Sequence, residues 1–142
     1  MRASAALALA LASALALAGA CVDRLPDQDR RILAAAAITK VPAEDLWKEF
    51  QADKARAHDT YWGKAIEVSG PIVRTADAAG GASTNTAVSF AGHDGSAVVI
   101  AKLLDDQAAA ILAEAKDATK LRLKCYCAGY DGKVQLTSCV KP

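Results

Sequence analysis

The pattern of apolar and polar positions divides the chain into helices and strands. From Pro42 onward, apolar residues recur at steps of three and four, which predicts a helix that ends at Gly63. A second run with this period predicts a helix over 105–116. The remaining apolar residues alternate with polar or small ones, which is typical of half-buried strands. The predicted strands lie at 66–72, 88–90, 97–101, 121–127 and 134–137.

These elements follow one another as helix, three strands, helix and two strands. The predicted class is mainly β with helices (α+β), as a five-stranded OB-fold barrel of order β-β-β-α-β-β preceded by an N-terminal helix. A general α+β sandwich is the alternative. His93-Asp94-Gly95 and Asp131-Gly132 are predicted turns, and residues 76–85 are a predicted loop. Trp47, Phe50 and Tyr61 are predicted core residues.

An apolar leader precedes this domain. Arg2 is followed by an Ala/Leu run from Ala5 to Ala18, broken only by Ser13, and then by small residues. A positive start, an apolar run and small residues before a cut are the parts of a secretory signal. The run is shorter and less apolar than the roughly 20 residues of a spanning helix. The sequence predicts a signal peptide at 1–20, a solvated tether at 21–41 and a domain at 42–142.

Two enzymes could cut at this junction. Leu17-Ala18-Gly19-Ala20-Cys21 resembles a bacterial lipobox, with Ala18 where a leucine is usual, and predicts that the Cys21 thiol is acylated. Several acyl chains on one residue anchor a protein stably. Ala18 and Ala20 also fit an ordinary signal peptidase, which would release a soluble periplasmic protein. The predicted location is the cell envelope, and Val22 after the cysteine favours the outer membrane.

Charge and candidate chemistry narrow the function. Arg2 leaves with the signal peptide, so the processed chain carries 16 basic and 16 acidic residues and no electrostatic preference for nucleic acid. His58-Asp59 and His93-Asp94 are chain neighbours, which seldom form catalytic dyads. We expect no catalytic site, metal or other cofactor. The predicted function is a binding or interaction module for an unknown protein, glycan or small molecule, with the membrane contacted through a lipid anchor only.

A single-stranded nucleic-acid-binding OB domain is the alternative function, because such domains use aromatic and basic side chains on the sheet. Lys120, Arg122 and Lys124 alternate on one face of a predicted strand, which also fits a solvated outer face. The candidate aromatic residues are Phe90, Tyr126 and Tyr130, and the other candidate basic residues are Lys64, Arg74, Lys102 and Lys133.

Two groups of residues resemble a known family. The first comprises Leu46-Trp47-Lys48-Glu49-Phe50, then Asp53, Ala57, Tyr61, Gly63 and Lys64, then Val68-Ser69-Gly70. The second comprises Cys127-Ala128-Gly129 and Leu136-Thr137-Ser138-Cys139. Their spacing over 43–140 is similar to that of the tRNA anti-like OB-fold family, in which Asp53 replaces a usual asparagine. The resemblance implies an OB fold, often exported and sometimes lipid-anchored, and brings no catalytic residues.

The cysteines are assigned with this resemblance in hand. Cys127 and Cys139 match the paired cysteines that end the family's pattern, and a hairpin joins their strands, so we predict a Cys127–Cys139 disulfide in the oxidising envelope. Cys139 is out of phase with its strand, which requires a bulge near Ser138. Cys125 stands where the family usually has glycine. It is then either a buried thiol or the partner of an unmodified Cys21.

Overall fold

The computed structural model describes residues 25–73 and 86–142. The signal peptide, Cys21 and the predicted loop at 76–85 lie outside the described residues. The elements, in chain order, are a 3₁₀ helix at Arg30–Leu33, β1 at Lys40–Pro42, α1 at Ala43–Ala52, α2 at Lys54–Tyr61, β2 at Ala65–Pro71, β3 at Ala87–Ala91, β4 at Ala97–Leu103, α3 at Asp105–Asp117, β5 at Lys120–Tyr130 and β6 at Val134–Val140.

The strands form one sheet in the order β1-β2-β5-β6-β4-β3. The antiparallel pairs are β2 with β5, β5 with β6 and β4 with β3. The parallel pairs are β4 with β6 and β1 with β2. The run β2-β3-β4-α3-β5-β6 has the predicted order, and the α+β class is confirmed. The C-terminal strand β6 therefore lies inside the sheet, between β5 and β4.

Strand count and closure differ from the prediction. The sixth strand is β1, which pairs in parallel with β2. The Thr39 carbonyl, directly before β1, accepts a hydrogen bond from the Glu67 amide at 3.0 Å. Three residues are too few to show a strand period in the sequence, so this strand depends on tertiary contact. The sheet is not a closed barrel, because β2 and β3 meet at a single bridge, Ile72 with Phe90, rather than along a ladder.

The predicted N-terminal helix is two helices. Asp53 has extended backbone angles, φ −154° and ψ 91°, and its carboxylate accepts a hydrogen bond from the Arg56 amide at 3.1 Å. An aspartate in this position satisfies a free amide at the start of a new helix, so the chain turns there instead of continuing. The predicted face persists at Ala57 and Tyr61, which are both buried.

Most of the core lies between the inner face of the sheet and the helices. Leu46 and Phe50 of α1 and Ile111 of α3 belong to one cluster with the inward side chains of the strands. Phe50 and Tyr61 are buried as predicted, while Trp47 is half-buried at the edge of this cluster. A smaller cluster on the outer face of the sheet comprises Ile32, Ala65, Leu104 and Val140.

The segment predicted as a solvated tether packs on the outer face of the sheet over its described residues. Ile32 is fully buried. Lys124 of β5 donates from Nζ to the Ala35 carbonyl at 2.8 Å, and Gln28 accepts a hydrogen bond from the Asp105 amide at 2.8 Å. Gln28 thereby caps α3, whose own N-cap residue, Leu104, provides no side-chain hydrogen bond. In 25–73 and 86–142, no helix has the length and hydropathy needed to cross a membrane.

Candidate functional site

Three cysteines meet at the centre of the β5–β6 hairpin. The disulfide joins Cys125 to Cys139, with the Cα atoms 4.3 Å apart, and Cys127 is a buried free thiol. The predicted Cys127–Cys139 pairing is corrected, as is the prediction that Cys125 is left over. Cys21, the predicted lipidation site, lies outside the described residues.

A bulge in β6 explains the different pairing. Lys124 lies opposite Val140 and Tyr126 opposite Thr137, so Cys125 faces two residues of β6 rather than one. Ser138 provides the extra position with a left-handed φ of 55°. The expected bulge is present and turns Cys139 inward. It brings Cys139 opposite Cys125. Cys127 lies opposite Leu136, which precedes Cys139 by three residues in β6.

The free thiol is chemically quiet. Burial raises the pKa of Cys127 to about 11, because the charged thiolate is poorly solvated between strands. The thiolate is the nucleophilic and metal-binding form, so little of it exists at neutral pH. No group of three or more His, Cys, Asp or Glu residues able to hold a metal ion occurs in the described part of the chain.

The two histidines have separate surface partners. His93 lies with Nδ1 2.7 Å from Oε1 of Glu44, which joins the β3–β4 turn to the start of α1. This hydrogen bond, with that of Lys48, lowers the pKa of the Glu44 carboxyl. The His58 ring stacks on Trp62 with centroids 5.5 Å apart. Both histidines therefore contact neighbours other than the aspartates that follow them in the sequence.

An aromatic cluster fixes α1 and α2 to the hairpin. The Phe50 ring stacks on Tyr130 of β5 with centroids 5.5 Å apart and 13° between the planes. Trp47 donates from Nε1 to the Gly132 carbonyl at 3.1 Å, and Lys54 Nζ lies 6.0 Å from the centroid of Tyr130. These contacts bind the helices to the tip of the β5–β6 hairpin.

A groove of about 380 Å³ lies on the surface between α1 and α2. Its charged lining residues are two acids, Glu49 and Asp53, and one base, Arg56. Glu49 accepts a hydrogen bond from the Tyr61 hydroxyl, and Asp53 caps α2, so two of the three also hold the helices together. Sequence reasoning missed this groove, because it assumed a single helix through Asp53.

The three candidate aromatic residues for nucleic-acid binding, and the candidate basic residue Lys124, have partners inside the fold. Phe90 is fully buried, Tyr130 stacks on Phe50, and Tyr126 packs against the outer cluster. Lys124 is bound to the carbonyl of Ala35. The described aromatic side chains of the strands therefore do not form an open stacking platform.

A second basic residue of the same strand is bound to a nearly buried acid. Arg122 Nε lies 3.3 Å from Oε1 of Glu67, which is 8% exposed, and Lys40 Nζ lies 4.0 Å from its other oxygen. The alternating basic residues of β5 are predicted as a solvated face, and Lys120 and Arg122 are exposed. Arg122 and Lys124 in addition contact the Glu67 carboxylate and the N-terminal segment.

The residues that carried the family resemblance form a helix–turn–strand frame. Asp53 caps α2, Ala57 and Tyr61 are buried on its inner side, and Gly63 turns the chain with a φ of +72°. The Lys64 carbonyl then accepts from the Cys127 amide at 3.2 Å, which starts β2 beside β5. Asparagine and aspartate are equivalent N-caps, which accounts for Asp53 in the place of asparagine.

Comparison with known proteins places the chain by family. No curated protein and no solved structure matches it. The family model described as tRNA_anti-like matches residues 1–140, almost the full length of the sequence. Together with the frame from Asp53 to Lys64 and the cysteine-bearing hairpin, this match shows that the chain belongs to the tRNA_anti-like family.

Proposed function

We propose that this protein is a lipid-anchored binding module of the bacterial cell envelope, exported by the signal at 1–20 and held to the membrane through Cys21. Its mature part is a non-catalytic domain that binds a protein, a glycan or a small molecule. The lipobox-like sequence before Cys21 supports the anchor.

The disulfide between Cys125 and Cys139 is the observation that most directly supports export. Both cysteines are fully buried, and the bond closes the β5–β6 hairpin over a separation of 14 residues. Disulfides persist in oxidising compartments and are rare in the cytosol. A bond of this kind contributes roughly 2–4 kcal/mol to a small domain, so the fold is most stable outside the cytoplasm.

Two buried side chains that could take part in chemistry have pKa values that suit structural roles. The Cys127 thiol has its pKa raised to about 11, and the Tyr61 hydroxyl has its pKa raised to about 12. Catalytic acids, bases and nucleophiles need pKa values near the working pH. Burial moves the pKa values of Cys127 and Tyr61 away from the working pH, which fits structural roles.

The fold is best described as a variant of the OB barrel, which is itself partly open in many proteins. β2 to β6 follow its chain order with α3 in the expected place. The gap between β2 and β3 is spanned by the Ile72–Phe90 bridge and by a 2.8 Å hydrogen bond from the Val73 amide to the Ser89 carbonyl. This contact brings the two edge regions together as barrel closure would.

A ligand site on this domain is most naturally sought in the groove between α1 and α2. Arg56 there has an exposed guanidinium whose donors suit a carboxylate or hydroxyl group of a ligand. The nucleic-acid alternative is less well supported, because Phe90, Tyr126 and Tyr130 pack within the fold. A salt-dependent gel shift with an oligonucleotide tests it, and tight, salt-sensitive binding would favour that alternative.

Intact-mass analysis of the membrane fraction tests the proposal. We expect a chain that begins at Cys21, carries acyl groups and contains one disulfide and one thiol that reacts after denaturation. The matched variant Cys21→Ala should lack the lipid mass and appear in the soluble periplasmic fraction. A protein that begins at Met1, with reduced cysteines and in the cytosol, would contradict the proposal.

A further inference from the structure

The ordered contacts of the domain begin very close to the proposed anchor. Val22, Asp23 and Arg24 alone separate Cys21 from Leu25. Four Cα-to-Cα steps span at most about 14 Å. The Asp27 carbonyl already accepts a hydrogen bond from Ser138 Oγ at 3.2 Å. An acylated Cys21 would therefore hold the body of the domain at the lipid surface, and not at the end of a 20-residue tether.

Leu25 identifies the part of the domain nearest to the anchor. Its Cδ2 atom lies 3.8 Å from the position that a Cβ would occupy on Gly63, in the turn between α2 and β2. That turn carries half-buried Trp62 on one side and exposed Lys64 on the other. The four-residue link to the anchor therefore starts from this turn and reaches at most about 14 Å away from Leu25.

The side chains of this turn suit a headgroup layer. Tryptophan is enriched at membrane interfaces, because its ring is apolar and its N–H is polar. His58 stacks on Trp62, and Lys64 uses one ammonium donor on the Asp59 carbonyl at 3.3 Å, which leaves two donors for lipid phosphates. The exposed Asp59 carboxylate offsets part of the positive charge, so the contact depends mainly on Trp62 and on the anchor.

We propose that the lipid-anchored domain lies directly on the phospholipid headgroups, with His58, Trp62 and Lys64 as the contact patch. The inference rests on the proposed anchor at Cys21. Tethering raises the local concentration of the patch at the bilayer, so contacts too weak to hold a free domain are sufficient. The patch thereby fixes which end of the domain faces the membrane.

Tryptophan fluorescence tests the contact. Acylated protein, with lipid on Cys21 verified by mass, is reconstituted in phosphatidylethanolamine–phosphatidylglycerol vesicles. Trp47→Phe leaves Trp62 as the sole tryptophan, and Trp62→Phe leaves Trp47 as the matched control. We expect lipids brominated near the headgroup to quench Trp62, and aqueous iodide quenching of Trp62 to fall roughly twofold relative to the unanchored Cys21→Ala form. Trp47 should change little in both measurements.

Two further measurements keep the test decisive. In the wild-type chain, amide exchange of residues 58–64 should slow on vesicles, which does not depend on either tryptophan substitution. Insertion of about 12 Gly/Ser residues between Arg24 and Leu25, with an average span of roughly 20 Å, should reduce the quenching of Trp62 by brominated lipid. Lipid on Cys21 without quenching or slowed exchange would overturn this inference alone. A mass without lipid would overturn the anchor and this inference with it.

Discussion

The Tyr61 hydroxyl donates a hydrogen bond to Oε2 of Glu49 at 2.7 Å, which joins α2 to α1 across the break at Asp53. Tyr61 is 7% exposed, and its ring lies 6.3 Å from that of Phe50. The hydrogen bond is the polar part of a contact that is otherwise apolar. It holds the second helix against the first after the backbone has changed direction.

Removing this hydroxyl should destabilise the domain in a pH-dependent way. Tyr61→Phe should lower the free energy of unfolding by about 1 kcal/mol near neutral pH. Burial, and next the Glu49 hydrogen bond, raise the pKa of Tyr61 from 10.0 to about 12, so the neutral phenol is favoured in the folded state. The stabilisation is complete below pH 10 and is lost as the pH rises through about 12.

Urea unfolding below pH 10 and between pH 10 and 12 measures this effect. The difference in stability between the wild type and Tyr61→Phe should narrow in the upper range. Glu49→Gln keeps an acceptor for the hydroxyl, and because burial is the larger cause of the shift, it should retain most of the pH dependence. A difference that stays constant across the two ranges would contradict this account.

Cys139 and Cys127 of the β5–β6 hairpin should differ sharply in their contribution to stability. Cys139→Ala removes the disulfide and should lower the free energy of unfolding by roughly 2–4 kcal/mol. Cys127→Ala removes a buried sulfur without touching the disulfide and should cost less, about 1 kcal/mol. Urea titrations with and without a reductant measure both.

The reductant provides the control for this pair. It should shift the unfolding midpoint of Cys127→Ala, which retains the Cys125–Cys139 bond, and leave that of Cys139→Ala unchanged. If the reductant instead leaves the midpoint of Cys127→Ala unchanged and shifts that of Cys125→Ala, in which Cys127 and Cys139 are protected from alkylation, the pairing expected from the sequence is favoured.

The cap at Asp53 should accept asparagine but not alanine. Asp53→Asn keeps an oxygen that accepts the Arg56 amide proton and should change the stability by only a few tenths of a kcal/mol, whereas Asp53→Ala should cost about 1 kcal/mol. Thermal unfolding followed by far-UV circular dichroism compares them. Equal losses for both variants would show that the aspartate charge, and not the cap, is what matters.

Ser138 combines an unusual backbone with a polar contact to the N-terminal segment. Its Oγ accepts a hydrogen bond from the Asp29 amide at 2.8 Å while its φ is 55°. Ser138→Ala keeps the unfavourable φ and loses the contact, so it should destabilise the domain by about 1–3 kcal/mol. Ser138→Gly also loses the contact but relieves the backbone, so it should cost less.

Limited proteolysis provides a local readout for the same variants. Cleavage after Arg30 and Arg31 by trypsin should be faster in both than in the wild type, because the segment that Ser138 holds is released more often. If neither variant changes cleavage there, Ser138 does not hold the segment to β6.

The sequence predicted the helices and strands in which buried and exposed residues alternate regularly. α3 and the inward positions of β5, such as Leu121 and Leu123, have a regular apolar pattern, and the turns at Gly95 and Gly132 have positive φ values as glycine allows. The α+β class followed from that pattern. The family followed from the spacing of Asp53, Ala57 and Tyr61.

What the pattern missed depends on contacts between distant residues. β1 forms by pairing with β2, and the segment around Ile32 packs on Ala65, Leu104 and Val140, which lie far away in the sequence. The phase of Cys139 predicts the bulge at Ser138, but Cys125 and Cys127 both point inward, and the two-residue period does not tell which of them lies opposite Cys139. The groove at Arg56 depends on the direction that α2 takes after Asp53.

The position of β6 bears on when this chain can acquire its structure. The ladders that connect β3 and β4 to β1, β2 and β5 run through β6 in the described sheet, and β6 is the last strand to be synthesised. A chain that still lacks Val134–Val140 has two parts of the described sheet that meet at the Ile72–Phe90 bridge but have no ladder between them. The described sheet therefore cannot be completed until β6 is available to pair with both β4 and β5.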